Sequence, residues 1–214
     1  MTKTNEREFS EPAYWQQLLA TLLLSLAAVG SAFSAWQSSR WGGVQAVHFA
    51  SASASRVEAV RAFGNANVQM SYDANTFVQL VLSSQMGEQR VARLVGERFL
   101  RKEFRPFAEE WLAMKPLENP DAPPTPFELK SYTNAQHQEG LELERTAMRY
   151  TEEAKRANQH SDDYILATVF FALGLFFGGL STKLRNQRLV TVLLVFGVLG
   201  SLLGLRQLLV LPFH

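Results

Sequence analysis

The sequence predicts an all-α membrane protein: three transmembrane helices, with an extracytoplasmic bundle of long, coiled-coil-like helices between the first and second spans. Three observations predict it. Leu18–Trp36, Tyr164–Thr182 and Leu189–Leu205 contain no Asp, Glu, Lys or Arg. Of the 41 charged residues, 32 fall within Ser38–Asp163. Between the spans, small and apolar residues recur at alternating four- and three-residue steps, the period of packed helices rather than strands. The totals alone show little of this: 214 residues, 47% hydrophobic, 19% charged, net charge +1 and no cysteine. The partition excludes a single soluble globule, a disordered chain and a disulfide-stapled domain. With no excess of basic charge to neutralise phosphates, nucleic acid is not an expected partner.

The first span is expected over 16–37, after a cytoplasmic segment 1–15. About 20 apolar residues cross a hydrocarbon core roughly 30 Å thick. Tyr14 and Trp15 at one end, and Trp36 and Trp41 at the other, are placed as membrane-interface anchors, because amphipathic rings favour the headgroup level. Lys3, Arg7 and the small residues around Ser31–Ala35 also fit a cleaved signal peptide. The length of the apolar run and its continuation into helix-like sequence favour retention as a span.

The extracytoplasmic domain is expected over 38–163. Between Trp36 and Pro106 there is no proline, which permits long helices. Ala46, Ala50, Ser53, Val57, Val60, Gly64, Asn67, Ser71, Ala74, Val78 and Val81 keep a strict four–three spacing and are expected to form a seam against a partner helix. Phe49, Phe63, Met70 and Phe77 recur beside it. A second helix is expected over about Glu88–Phe104, and Pro106 suits the first turn of another, with Phe107 and Trp111 on one side. Five prolines within 115–132 preclude a continuous helix there and predict a stiff surface loop. From about Thr133 the helical pattern returns: Leu143, Ala147, Tyr150, Ala154 and Ala157 keep the four–three spacing, and no breaker intervenes before Tyr164.

Tyr164, a fifth interface anchor, opens the second span, 164–182. A short loop, 183–188, leads to the third span, 189–211, and a terminal segment, 212–214. The loop carries Lys183, Arg185 and Arg188 and no acid, so it is expected to stay cytoplasmic. That orientation puts 1–15 inside, and 38–163 and 212–214 outside. Gly174 and Gly178, and Gly197, Gly200 and Gly204, are the expected packing positions of the second and third spans, since small residues let helices approach within a bilayer. At least one glycine-lined surface is expected to serve self-association as well. Arg206, near the outer end of the third span, is expected to snorkel or to pair with Asp162 or Asp163; the alternative is a charged ring at the mouth of an oligomeric pore.

Nothing in the pattern points to catalysis. The four histidines lack helical metal spacing. His160 with Asp162 and Asp163 is the one local cluster able to hold a cation, and a solvated cap explains it more simply. Nucleophile elbows, phosphate loops and thiols do not occur. Glu109-Glu110 and Glu152-Glu153 are adjacent on helices and point about 100° apart, so neither makes an acid–base pair. No enzyme, metal or cofactor is expected.

Two segments, Trp36-Gln37-Ser38-Ser39-Arg40-Trp41-Gly42-Gly43-Val44-Gln45-Ala46 and Asn119-Pro120-Asp121-Ala122-Pro123-Pro124-Thr125-Pro126-Phe127, together resemble a group of uncharacterised bacterial membrane proteins. These have one span, a long helical segment and two closely spaced spans. The resemblance implies a bacterial inner (cytoplasmic) membrane location and no known activity. The expected function is interaction: an oligomeric scaffold, or an accessory or sensor subunit, with the lipid bilayer and either further copies or a partner membrane protein around it. The alternative is a small homo-oligomeric channel with an extracytoplasmic vestibule.

Overall fold

A computed structural model describes residues 14–116 and 118–214. The segment 1–13, with Lys3 and Arg7, lies outside the described residues. Among those described there are helices and no strands: α1 (Tyr14–Gln85), α2 (Gln89–Leu94) continued by a π-helical turn (Val95–Phe99), α3 (Arg105–Ala113), a 3-10 turn (Pro126–Glu128), α4 (Ala135–Ser181) and α5 (Gln187–Val210). Three of these, α1, α4 and α5, are long and apolar enough to cross a membrane.

The ends of the helices follow local chemistry. Through its 72 residues α1 meets no proline. It stops where Gly87 takes φ +76°, a conformation costly for any residue with a Cβ. There Glu88 N–H donates to Ser83 O at 3.0 Å and Gly87 N–H to Ser84 O at 3.3 Å, the paired bonds of a Schellman stop. Pro106 sits in the first turn of α3, as its missing N–H permits. Asn134 caps α4 by accepting from His137 N–H at 3.1 Å, and Asn186 caps α5 by accepting from Arg188 N–H at 3.0 Å.

The helix expected over 88–104 is shorter. It ends at Leu100, whose backbone is extended (φ −63°, ψ 127°). Tertiary bonds replace helical ones beyond it: Tyr72 OH donates to Phe99 O, and Arg101 turns to Asp73. The end of the proline-rich loop packs inward, while most of its described residues stay exposed or partly exposed. Pro126 and Leu129 are buried, and Phe127 stacks on Phe104 at 4.9 Å between centroids.

The chain divides into two compact units. One holds α1 up to Ser51 together with Tyr150–His214. Near the start of α1 and of α5, Ala20, Leu23, Val190 and Leu194 form an apolar cluster. Beside them the buried Gln16 donates to Thr191 Oγ1 at 2.9 Å and to Gln187 O at 3.3 Å. The other unit, Ala52–Arg149, is built on Phe77, Leu100, Phe104, Ala108, Trp111 and Leu129. Trp111 Nε1–H donates to Pro123 O at 2.6 Å, tying the proline loop to this core.

The four–three period of α1 is present, but its buried phase differs from the expected seam by two residues. Ala52, Ala59, Ala62, Ala66, Asp73, Thr76 and Ser83 are buried, whereas Val57 is 65% exposed, Val60 70% and Val78 54%. Two residues are about 200° around a helix, so the expected seam lies on the opposite face. Both faces carry the same period, and a period does not specify a phase. Contact with α4 decides it: Phe63 fills the space above Gly140, where a Cβ would come within 2.6 Å of its ring. On α4 the expected seam is the buried one, with Ala147, Ala154 and Ala157 almost fully enclosed.

Candidate functional site

The expected span-packing glycines lie at the meeting of α1, α4 and α5. A Cβ on Gly197 would meet Leu23 Cδ2 at 2.7 Å, and one on Gly200 would meet Phe170 O at 3.1 Å. On Gly204 it would meet the Phe171 ring at 3.0 Å, and on Gly178 the Leu24 side chain at 3.2 Å. Gly174 sits against Ala27, Gly197 O and the Ser201 hydroxyl. All five therefore face neighbours within the same chain.

At the end of this unit away from the 183–188 loop, the terminal segment folds back as a latch. Pro212 O accepts from both Trp41 Nε1–H (3.1 Å) and Tyr164 OH (3.2 Å), while His214 N–H donates to Gln37 Oε1 (3.3 Å). Phe213 meets Phe33 edge-on at 5.9 Å. Trp41 packs against His160 at 4.7 Å and His214 at 5.0 Å. Ser38 and Ser161 bond to each other at 3.0 Å just below.

The expected anchors therefore separate into two groups. Tyr14, Trp15 and Trp36 are exposed, as rings in a headgroup layer would be. Trp41 is half-buried and Tyr164 is fully buried, and both hold the latch. A buried phenol needs a partner for its O–H, and Pro212 O supplies it.

Arg206 is exposed, and among the described residues it forms no ion pair with Asp162 or Asp163. Asp162 accepts from Asn158 Nδ2 at 3.0 Å instead. One helical turn along α4, Asn158 reaches Asp162 without ordering a long arginine side chain. Among the described residues no group of three or more His, Cys, Asp or Glu is placed to hold a metal. His160 lies against Trp41 with its Nδ1 buried and unbonded.

The other unit holds a polar feature that sequence reasoning missed. Asp73, fully buried on α1, accepts from Arg101 Nε at 2.8 Å and Nη2 at 2.7 Å. That hydrogen-bonded pairing raises the Arg101 pKa against the opposing effect of burial, with the Asp73 and Glu103 charges adding. The pair borders a cleft of about 240 Å³ whose walls include Gln69, Phe104, Phe107, Tyr132 and Asn134. Burial raises the Tyr132 phenol above its ordinary value. The hydrogen bond to Asn134 opposes this, as does Arg101, while Asp73 adds to it. A signal did exist: Asp73 stands seven residues after Ala66, which follows Ala59 and Ala52, so it places a charge on a row of alanines.

The remaining surface feature is the outward face of α1. From Gly43 to Ser71 every residue of the four–three row is exposed, and none is charged.

The described residues define an all-helical protein with three helices able to span a membrane and a helical unit between the first two. No protein-family model, curated protein or solved structure matches the chain.

Proposed function

We propose that this chain is a non-enzymatic integral membrane protein acting through helix–helix interaction, either as an oligomeric scaffold or as an accessory or sensor subunit of a membrane complex. In this reading it resides in the bacterial inner membrane, with 183–188 cytoplasmic and the unit Ala52–Arg149 outside. One observation carries it: the uncharged outer face of α1 continues well beyond the span. Lipid explains such a face within the span. In water a charge-free row with valines more than half exposed is a contact surface waiting for a helix.

Pore formation is less well supported. The outward residues of the spans, Leu26, Val29, Phe176, Val192 and Phe196 among them, are apolar and suit lipid rather than a water-filled channel. Native mass measurement in mild detergent tests the proposal. We expect an assembly heavier than the 24.0 kDa chain, and Val57→Lys with Val60→Lys to reduce it. A strictly monomeric wild type would end the oligomeric-scaffold reading, and conductance of an assembled form in planar bilayers would favour the channel instead.

A further inference from the structure

The outer face of α1 carries glycines that its own chain does not explain. Glycine is unfavourable in the middle of a helix and is retained where a neighbour approaches too closely for a Cβ. That reason accounts for Gly30, Gly140 and Gly197, where a Cβ would come within 2.7 Å of a side chain. At Gly43 and Gly64 nothing lies within 4 Å. Both belong to the exposed row, in step with Ala50, Val57, Ser71 and Val78 at intervals of seven.

We propose that α1 of a second copy closes this face, in a parallel, in-register contact whose closest approaches fall at Gly43 and Gly64. The inference rests on the reading above that the spans cross a membrane and that the chain acts by helix contact. A heptad row needs a partner helix with the same repeat over the same length, and a second α1 supplies it. Spans in one bilayer hold two copies parallel and at equal height, which fixes the register and removes much of the orientational cost of association.

The area suffices. From Gly43 to Val78 the row is roughly 54 Å long at about 1.5 Å per residue, and a strip about 10 Å wide buries roughly 1,100 Å² over both copies. Specific interfaces begin near 1,000–1,200 Å². The flanking charges permit it. In a parallel pair Arg56 approaches Arg61 of the other copy, and Glu58 offsets Arg61 from its own helix at 3.1 Å.

The test uses the cysteine-free chain in native membranes. Val57→Cys is expected to form a homodisulfide on mild oxidation, and Glu142→Cys, on α4, is not. Gly64→Ala and Gly43→Ala are expected to act in opposite directions on two readouts. The thermal midpoint of the separated chain should hold or rise, while dimer dissociation in detergent becomes roughly tenfold easier. Glycines that merely weaken the helix would leave dissociation unchanged, and that result overturns the proposal. An assembly that persists with no Val57→Cys disulfide overturns this interface and leaves the interaction reading standing. A monomer without crosslinks overturns both this interface and the oligomeric-scaffold reading.

Discussion

Replacing Asp73 by asparagine is the sharpest perturbation of the unit Ala52–Arg149. The substitution keeps the volume and one acceptor but removes the charge that Arg101 grips at 2.7 and 2.8 Å. Asp73 is fully buried and the Arg101 side chain is 24% exposed, so the arginine left behind recovers only part of its hydration. Removing one partner of a buried pair costs about 3–5 kcal/mol. Solvent access at Arg101 lowers that to about 2–3 kcal/mol, or roughly 30- to 150-fold in the population of the opened state. Hydrogen exchange of the full chain in detergent reads this directly: the peptide over Leu100–Ala113 should exchange faster by that factor. Because a buried pair gives little net stability over an apolar isostere, Asp73→Leu with Arg101→Met should recover most of the loss. A single-variant effect below about 1 kcal/mol, or a double variant no more stable than the single, would refute the assignment of this pair as the tie between α1 and the turn before α3.

Three further outcomes are expected. Gly197→Ala should destabilise the span bundle by about 1–3 kcal/mol through overpacking, because its Cβ would meet Leu23 at 2.7 Å. Gly179→Ala, with nothing within 4 Å, should be neutral, and thermal unfolding in detergent compares them. The Tyr132 phenol has its folded pKa raised by burial, so its contribution to stability is complete below about pH 10 and is lost as pH rises through the folded value. Tyr132→Phe should remove that part of the alkaline loss, with no change of slope at neutral pH, as measured by urea unfolding across pH 8–12. Trp41→Phe and Tyr164→Phe each delete one donor to Pro212 O, which should loosen the latch by about 0.5–1.5 kcal/mol. A cysteine at Phe213 would then label faster, and unchanged labelling would show that the two bonds do not hold the segment.

Local signals made much of the fold legible. Pro106 marked the start of α3, and the 47 residues of α4 run unbroken into the apolar stretch as its breaker-free sequence indicated. The buried row of α4 was readable because Ala147, Ala154 and Ala157 have large polar neighbours on the other faces, giving that helix one apolar side. On α1 both sides are small or apolar, so its phase was not readable. The Asp73–Arg101 pair was hidden because its partners are 28 residues apart across a turn. The latch was hidden because Pro212-Phe213-His214 carries no pattern of its own.

The sequence by itself determined that this protein is helical, that three stretches suit a bilayer, and where charge is concentrated. Those properties follow from composition and period, which each segment carries alone. Tertiary structure decided which face of α1 is buried, that Tyr164 is enclosed and bonds to the latch, and that the five span glycines are filled by neighbours in their own chain. Each of these depends on which surface another helix presents, and a helix with two equivalent faces contains no local term that chooses between them.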